Sequence, residues 1–193
     1  MTAGDAEPVS PERDRPRSGH VFSEYSSAWP GAYRREARVL RAVMGDNLVG
    51  IHHIGSTSVP GLAGKATIDI LPLVRSLDEV DASTSRLAAA GYRAWGEFGL
   101  PGRRYLTKDR DGVRSHNVHC YRVDDDEAER HLAFCAYLRA HPDASREYAA
   151  LKRIVFARHA DDMLAYNDGK NEWIQALQPI AIAWFRARGR LLA

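Results

Sequence analysis

His53-Ile54-Gly55-Ser56-Thr57-Ser58-Val59-Pro60-Gly61-Leu62, followed by Lys65 and then Thr67-Ile68-Asp69-Ile70-Leu71, is the stretch on which the fold turns. Leu48 to Ile54 reads as a strand that runs into a Gly-Ser turn. Gly55 lets backbone amides approach a ligand closely. Ser56, Thr57 and Ser58 add short hydroxyls, and Lys65 adds a point charge. Thr57 or Ser58 can also cap a short helix whose amide end attracts anions. Thr67 to Val74 reads as a second strand, apolar on both faces except at Asp69, a pattern that suits a central, doubly covered strand. A turn able to hold phosphate beside a carboxylate able to hold a metal points to nucleotide chemistry. Gly64-Lys65 does not make a P-loop: Val59 stands where the first glycine is needed, and Ala66 replaces the Ser or Thr after the lysine. The plain alternative for the turn is a tight strand connection capped by Ser and Thr.

The bulk numbers fit a soluble globular protein. At 193 residues one domain or a tightly joined pair is expected. The apolar share of 45% and charged share of 27% are ordinary. A net charge of +2 gives no clustered basic excess of the kind nucleic-acid binding needs. Cys120 and Cys135 form no C-x-x-C pair and read as buried reduced thiols. No apolar run approaches the ~20 residues that span a membrane. No apolar leader opens the chain. A cytoplasmic protein with no membrane or nucleic-acid partner is the expectation.

Residues 1–20 are polar and proline-punctuated, which predicts a flexible tail, or an arm ordered only by docking on something. Residues 21–193 read as a single domain, with an α+β part over about 21–123 and a helical part over about 124–193. Val21 to Trp29 is expected to be extended. Pro30 then opens a helix whose stripe is Tyr33, Ala37, Leu40 and Met44, ended by Gly45. Asp78 begins a helix through Ala90, stopped by Gly91. Tyr92 to Phe98, Arg103 to Lys108 and Val113 to Val123 read as further strands, the last two joined by an Asp111-Gly112 hairpin. Three helices follow: one started by Asp124, Asp125 and Asp126, one by Pro142, and one placed after Asn167-Asp168-Gly169, with Pro179 kinking it or opening a fresh turn.

The run H-I-G-S-T-S-V-P-G-L-x-x-K-x-x-I-D-I resembles the signature of the GrpB family, which looks like a branch of the nucleotidyltransferase fold shared with polymerase beta. Tyr25, Trp29, Gly91-Tyr92, His119, His131, Tyr137-Leu138-Arg139, Pro142, Tyr148, Lys152, Tyr166 and Lys170 extend the resemblance over roughly residues 21 to 175. It implies an α+β fold: a nucleotidyltransferase-like mixed β-sheet with flanking helices and a helical C-terminal part packing across the site. In that fold a Gly-Ser pair binds triphosphate, and a strand about a dozen residues later carries two carboxylates at i and i+2. The two point the same way and hold two Mg²⁺. Asp69 takes the first carboxylate position and is a candidate metal ligand. Leu71 stands at the second, and the neighbouring segment Ser115 to His119 offers Asn117 and His119 instead of a third acid. A two-metal site is therefore incomplete, which leaves one Mg²⁺ or Mn²⁺ with a nucleotide, a different metal, or none.

The candidate site comprises Asp69 and His119 as catalytic groups. His53, Gly55, Ser56, Thr57, Ser58, Lys65, Arg104, Asn117, Arg139, Tyr148, Lys152, Tyr166 and Lys170 are candidates for binding substrate or phosphate. His53 is close enough to the turn to touch an anion, or simply pins it. Tyr148/Lys152 and Tyr166/Lys170 share an i, i+4 spacing that can grip an anion, or reflects lysine stems packed on tyrosines. Arg104 and its neighbour Arg103 can meet an anion or form a solvated basic pair. Three functions fit. One is nucleotidyl transfer or another reaction on a nucleotide or phosphorylated small molecule. The second is a divergent biosynthetic enzyme that joins an amine to an activated carboxylate. The third is a non-catalytic ligand-binding module, since GrpB domains also occur fused to dephospho-CoA kinase.

Overall fold

The computed structural model describes residues 21–189, so the tail expected over 1–20 lies outside the described residues. A short strand β1 (Phe22–Ser23) leads to helix α1 (Trp29–Met44), in which proline occupies the first turn and needs no backbone donor. Ala37, Leu40 and Met44 bury the stripe, and Gly45, at φ +54°, closes the helix with its amide bonded to the Arg41 carbonyl. Strand β2 (Leu48–Ile54), the Gly-Ser turn, a two-residue strand β3 (Gly64–Lys65) and strand β4 (Ile68–Val74) follow. Next come α2 (Leu77–Ala82), α3 (Thr84–Ala89), β5 (Arg93–Ala94), β6 (Arg104–Arg110) and β7 (Val113–Arg122). The chain then turns helical: α4 (Asp126–Ala140), α5 (Pro142–Arg158) and α6 (Met163–Ala187).

Five strands form one mixed sheet in the order β2-β4-β7-β6-β5, and β1 pairs with β3 beside it. β4 is central, antiparallel to β2 and parallel to β7. Side chains alternate across it. Ile68, Ile70 and Val74 join Val118 and Cys120 of β7 under α1, in a core with Leu40 and Met44. Leu71 and Leu73 face the other way, with Ile54, Tyr121, Ala128 and Cys135 under α4. A third cluster ties Val59 and Leu62, just past the Gly-Ser turn, to Leu138 of α4 and Tyr148 and Ala149 of α5. The loop after the turn is thus clamped to the helical half. Both cysteines are buried free thiols, and burial pushes the Cys120 thiol up to about 12.

Several local expectations need correction. The helix expected from Asp78 to Ala90 is two short helices broken at Ser83. Its N-cap is Ser76, whose side chain accepts the Glu79 amide. Ser83 bonds its hydroxyl to the Glu79 carbonyl, a side-chain competitor of the kind that interrupts helices. The strand expected from Tyr92 to Phe98 shrinks to Arg93–Ala94. The last helix begins at Met163, because Asp162 caps it by accepting the Leu164 and Ala165 amides. Asn167-Asp168-Gly169 therefore lies inside α6 as a close-packing patch. A Cβ at Gly169 would stand 2.6 Å from a Val155 methyl of α5. α6 runs through Pro179 as one continuous helix.

Leu40 is fully buried between α1 and the sheet. Leu40→Ala should lower unfolding free energy by about 2–5 kcal/mol, read as a lower urea midpoint at unchanged slope.

Candidate functional site

The ends of β2, β4 and β7 build the site. Gly55 follows β2 at φ +68°, a conformation that only glycine adopts without strain. It also touches Asp69: a Cβ at Gly55 would lie 2.3 Å from Asp69 Oδ2. The turn and the carboxylate are therefore in direct contact. Asp69 is half-buried, its side chain 26% exposed, and faces solvent rather than the apolar core. Register sets its neighbours, since Asp69 pairs with Asn117 across β4 and β7. Asn117 Nδ2 donates to Asp69 Oδ1 at 2.9 Å, and His119 Nε2 lies 3.8 Å from the same oxygen. Asn117 Oδ1 in turn accepts from Tyr105 Oη at 3.0 Å and from an Arg114 guanidinium nitrogen at 3.3 Å. Burial works to raise the Asp69 carboxyl. The His119 imidazole, the Asn117 amide and Lys65 outweigh it and hold the group below the usual carboxylate range. Asp69 is an anion at neutral pH.

The wall facing Asp69 carries amines. Lys65 Nζ donates to Met163 Sδ at 3.0 Å and sits 5.7 Å from the Tyr166 ring centre. Lys170 Nζ lies 4.0 Å over the same ring and bonds Asn167. Lys152 is 1% exposed, with Nζ bonded to the Ala63 carbonyl and 2.9 Å from Ser56 Oγ. None of the three forms an ion pair among the described residues. Burial pushes all three amines down, Lys152 and Lys170 to about 7. Next in order, Lys170 and Arg153 depress Lys152, while Lys65 depresses Lys170. Asp69 opposes the fall at Lys65 and Lys170. Two poorly solvated amines, Lys65 and Lys170, thus face one carboxylate, and a third, Lys152, lies behind Ser56.

The remaining turn residues brace it. His53 Nε2 and Thr57 Oγ1 share a 2.9 Å hydrogen bond, and the His53 ring stacks on Tyr33 at 4.7 Å. Ser58 Oγ donates to the Gly55 carbonyl at 2.8 Å. Arg139 Nε donates to the Ser58 carbonyl and its Nη2 to the His53 carbonyl, both at 3.0 Å. Arg139 also lines a groove of about 560 Å³ between Pro60-Gly61 and α4 and α5, together with Arg146 and Arg153.

The structure therefore brings together Gly55, Ser56, Lys65, Asp69, Asn117, His119 and Lys170, with Tyr166 as the ring beneath two lysines. His53, Thr57, Ser58 and Arg139 hold the turn's shape from behind. Tyr148 is buried, stacked on Trp173 at 4.6 Å, with Lys152 4.6 Å from its ring centre. Arg104 is not at the site. It pairs with Cys120 on the opposite face of the sheet and forks onto the Asp81 carboxylate at 2.7 and 2.9 Å. Alternation along β6 explains this: Tyr105 faces His119, so Arg104 must face away. Tyr105, Arg114, Tyr33 and Met163 were not expected from the sequence. Their reach depends on cross-strand register and on α6 crossing the turn, which no short-range pattern carries.

Leu71 occupies the position a second carboxylate would take, wholly buried against Ile54, Tyr121 and Cys135. Among the described residues no cluster of three or more His, Cys, Asp or Glu is placed to hold a metal. The residues present do not fit a two-Mg²⁺ clamp.

A mixed sheet with this turn, one strand carboxylate and helices across it defines a protein of nucleotidyltransferase-like fold. Structures of the Cid1 poly(U) polymerase, one with its short product ApU and one with MgGTP bound, match at TM-score 0.50. They share 14 and 15% identity over 70% of this chain and 43 and 45% of theirs. The chain belongs to the GrpB protein family, which it matches over residues 21–179. The conserved protein GrpB from Enterococcus faecalis superposes at TM-score 0.82, with 38% identity over 86% of this chain and 99% of that one. The UPF0157 protein YqkA of Bacillus subtilis (strain 168) is 42% identical over 85% of this chain. This chain spans only 48% of YqkA's length. A dephospho-CoA kinase of Mycolicibacterium paratuberculosis is 30% identical over 83% of this chain and 46% of its own length.

Two measurements test the geometry. Gly55→Ala adds a positive-φ penalty to a collision with Asp69, and should cost roughly 2–4 kcal/mol in urea unfolding, beyond the ordinary glycine-to-alanine range. Burial lowers His53 to about 4, with Arg139 adding to the fall and Asp69 opposing it. The unfolded chain therefore binds the His53 proton first, and stability should fall as pH drops from about 6.5 to about 4. His53→Gln should flatten that slope.

Proposed function

We propose that this chain binds a small anionic molecule in the cleft between the sheet and α6 and acts on it enzymatically. A nucleotide or another phosphorylated or carboxylate compound is the class of ligand. The single observation that carries this reading is the pair of desolvated amines, Lys65 and Lys170, that face one carboxylate and form no ion pair among the described residues. Burying ammonium groups without counter-ions is costly, and a bound anion removes that cost. Lys65 and Lys170 present the amines that interact with Asp69. Asn117 adds a neutral donor, while Ser56 is engaged by Lys152, which lies deeper.

Asp69 and His119 supply acid–base chemistry. The carboxylate is already ionised and fixed by Asn117, and the imidazole stands 3.8 Å away. A substrate hydroxyl or amine set between them can lose its proton to either group. The fold likeness favours nucleotidyl transfer as the reaction. Leu71 favours the second reading, an altered chemistry in the inherited cleft, because the group that would hold a second Mg²⁺ is missing.

Thermal unfolding with ATP, GTP, CTP, UTP and inorganic triphosphate is the test, each with and without Mg²⁺ or Mn²⁺. A concentration-dependent rise in Tm is expected for at least one of these anions, and Lys170→Met should weaken it about tenfold. No rise with any of them would contradict the reading. Asp69→Asn should keep the anion-dependent rise and lose turnover.

A further inference from the structure

Ser56 and Lys152 stand apart from the anion-binding wall. Ser56 follows Gly55, at the point where strand β2 breaks into a tight turn, and is half-buried. Its Oγ lies 2.9 Å from Lys152 Nζ, a side chain that reaches it from the middle of α5. Space for the pair exists because residue 64 is glycine. A Cβ there would stand 2.9 Å from Ser56 Cβ and 3.3 Å from Lys152 Nζ. Lys152 has no carboxylate partner among the described residues. The groups around it are the Ala63 carbonyl, the Tyr148 ring on its own helix, Arg153 beside it, and Lys170 from α6. The Tyr148 ring favours the ammonium. Burial and the two neighbouring cations favour the neutral amine. Lys152 Nζ donates to the Ala63 carbonyl and to Ser56 Oγ, and once the amine is neutral its lone pair can take the Ser56 hydroxyl proton across the same 2.9 Å.

We propose that Ser56 is a nucleophile with Lys152 as its general base, and that the pair takes an acyl group from an activated carboxylic acid, an ester or a thioester. The Ser56 Oγ–carbonyl bond forms as the Oγ proton passes to Lys152 Nζ. The bond from carbonyl to the leaving oxygen or sulfur then breaks, and that atom takes the proton from Nζ. Water, or an amine seated near Asp69, attacks the resulting serine ester and gives its proton to Nζ; the carbonyl–Oγ bond breaks, and the departing Ser56 Oγ takes that proton from Nζ. Activation of a serine by a desolvated lysine is an established form of covalent catalysis. This assignment goes beyond the anion-binding reading and does not require it: the pair stands on its own geometry.

A fluorophosphonate probe with the full chain tests it. Labelling forms an Oγ–phosphorus bond and releases fluoride, with the proton taken by Lys152. One adduct per chain is expected by intact mass, mapped by peptide sequencing to Ser56 and absent in Ser56→Ala. The labelling rate should rise between about pH 6 and pH 8, as Lys152 sheds its proton near 7. Lys152→Met, an apolar replacement of similar length, should cut that rate by about a hundredfold. If this variant fails to fold, the pH profile of the unaltered chain decides. No adduct across this pH range would overturn the proposal, as would an adduct elsewhere. A Ser56 adduct formed at a pH-independent rate would overturn it too. Triphosphate-induced stabilisation is read separately, so loss of labelling with stabilisation intact removes the dyad and leaves the anion site standing.

Discussion

Contact between the Gly55 backbone and the Asp69 carboxylate is the constraint on which the site depends. A Cβ at residue 55 would sit 2.3 Å from Asp69 Oδ2. The turn can take its shape only with glycine there, and Asp69 can take its position only beside that turn. Everything else is arranged to hold the contact. Arg139 pins the carbonyls of His53 and Ser58, His53 pins Thr57, and Asn117 fixes Asp69 from the next strand. The apolar cluster of Val59, Leu62, Leu138 and Tyr148 then locks the outgoing loop onto α4 and α5. Rigid support of this kind is what a binding site needs, because donors fixed in advance cost no reordering when a ligand arrives.

Electrostatics gives the cleft its character. A nucleotidyltransferase-like fold would place paired carboxylates opposite its phosphate turn, so that divalent cations carry the charge between protein and ligand. This chain keeps Asp69 and replaces the second carboxylate with Leu71, packed against Cys135 and Tyr121. On the facing wall Lys65 and Lys170 gather with Tyr166 between them, and Lys152 lies behind Ser56. The same arrangement makes amines of unusually low basicity, and a low-basicity amine beside a hydroxyl can do chemistry as well as binding.

Local signals made much of this legible in the sequence. Strand-like runs marked β2, β4 and β7, with β4 apolar on both faces except at Asp69; Gly45 and Gly91 marked stops, and Asp111-Gly112 marked the hairpin, where both residues adopt positive φ. The Gly-Ser turn and Asp69 were identifiable as a unit, and the alternation that set Leu71 on Asp69's face was visible as well. What escaped was set by tertiary competition. Ser83 breaks a helix by bonding back to Glu79, and Asp162 starts α6 five residues before the Asn167-Asp168-Gly169 cluster that looked like a boundary. Arg104 looked available to an anion because its strand partner was unknown; once β6 pairs with β7, its side chain falls to the Asp81 side. Lys152 was visible as one of a Tyr/Lys pair, but its burial behind Ser56 depends on how α5 crosses the turn.

Calorimetric titration with inorganic triphosphate at about pH 8, repeated in buffers of different ionisation enthalpy, tests the central claim most directly. If the anion seats against Lys65 and Lys170, binding raises their basicity and the complex takes up protons, so the measured heat must depend on the buffer. Heats that are the same in every buffer, or the absence of any binding heat, would contradict the claim that this cleft is an anion site built from unpaired amines.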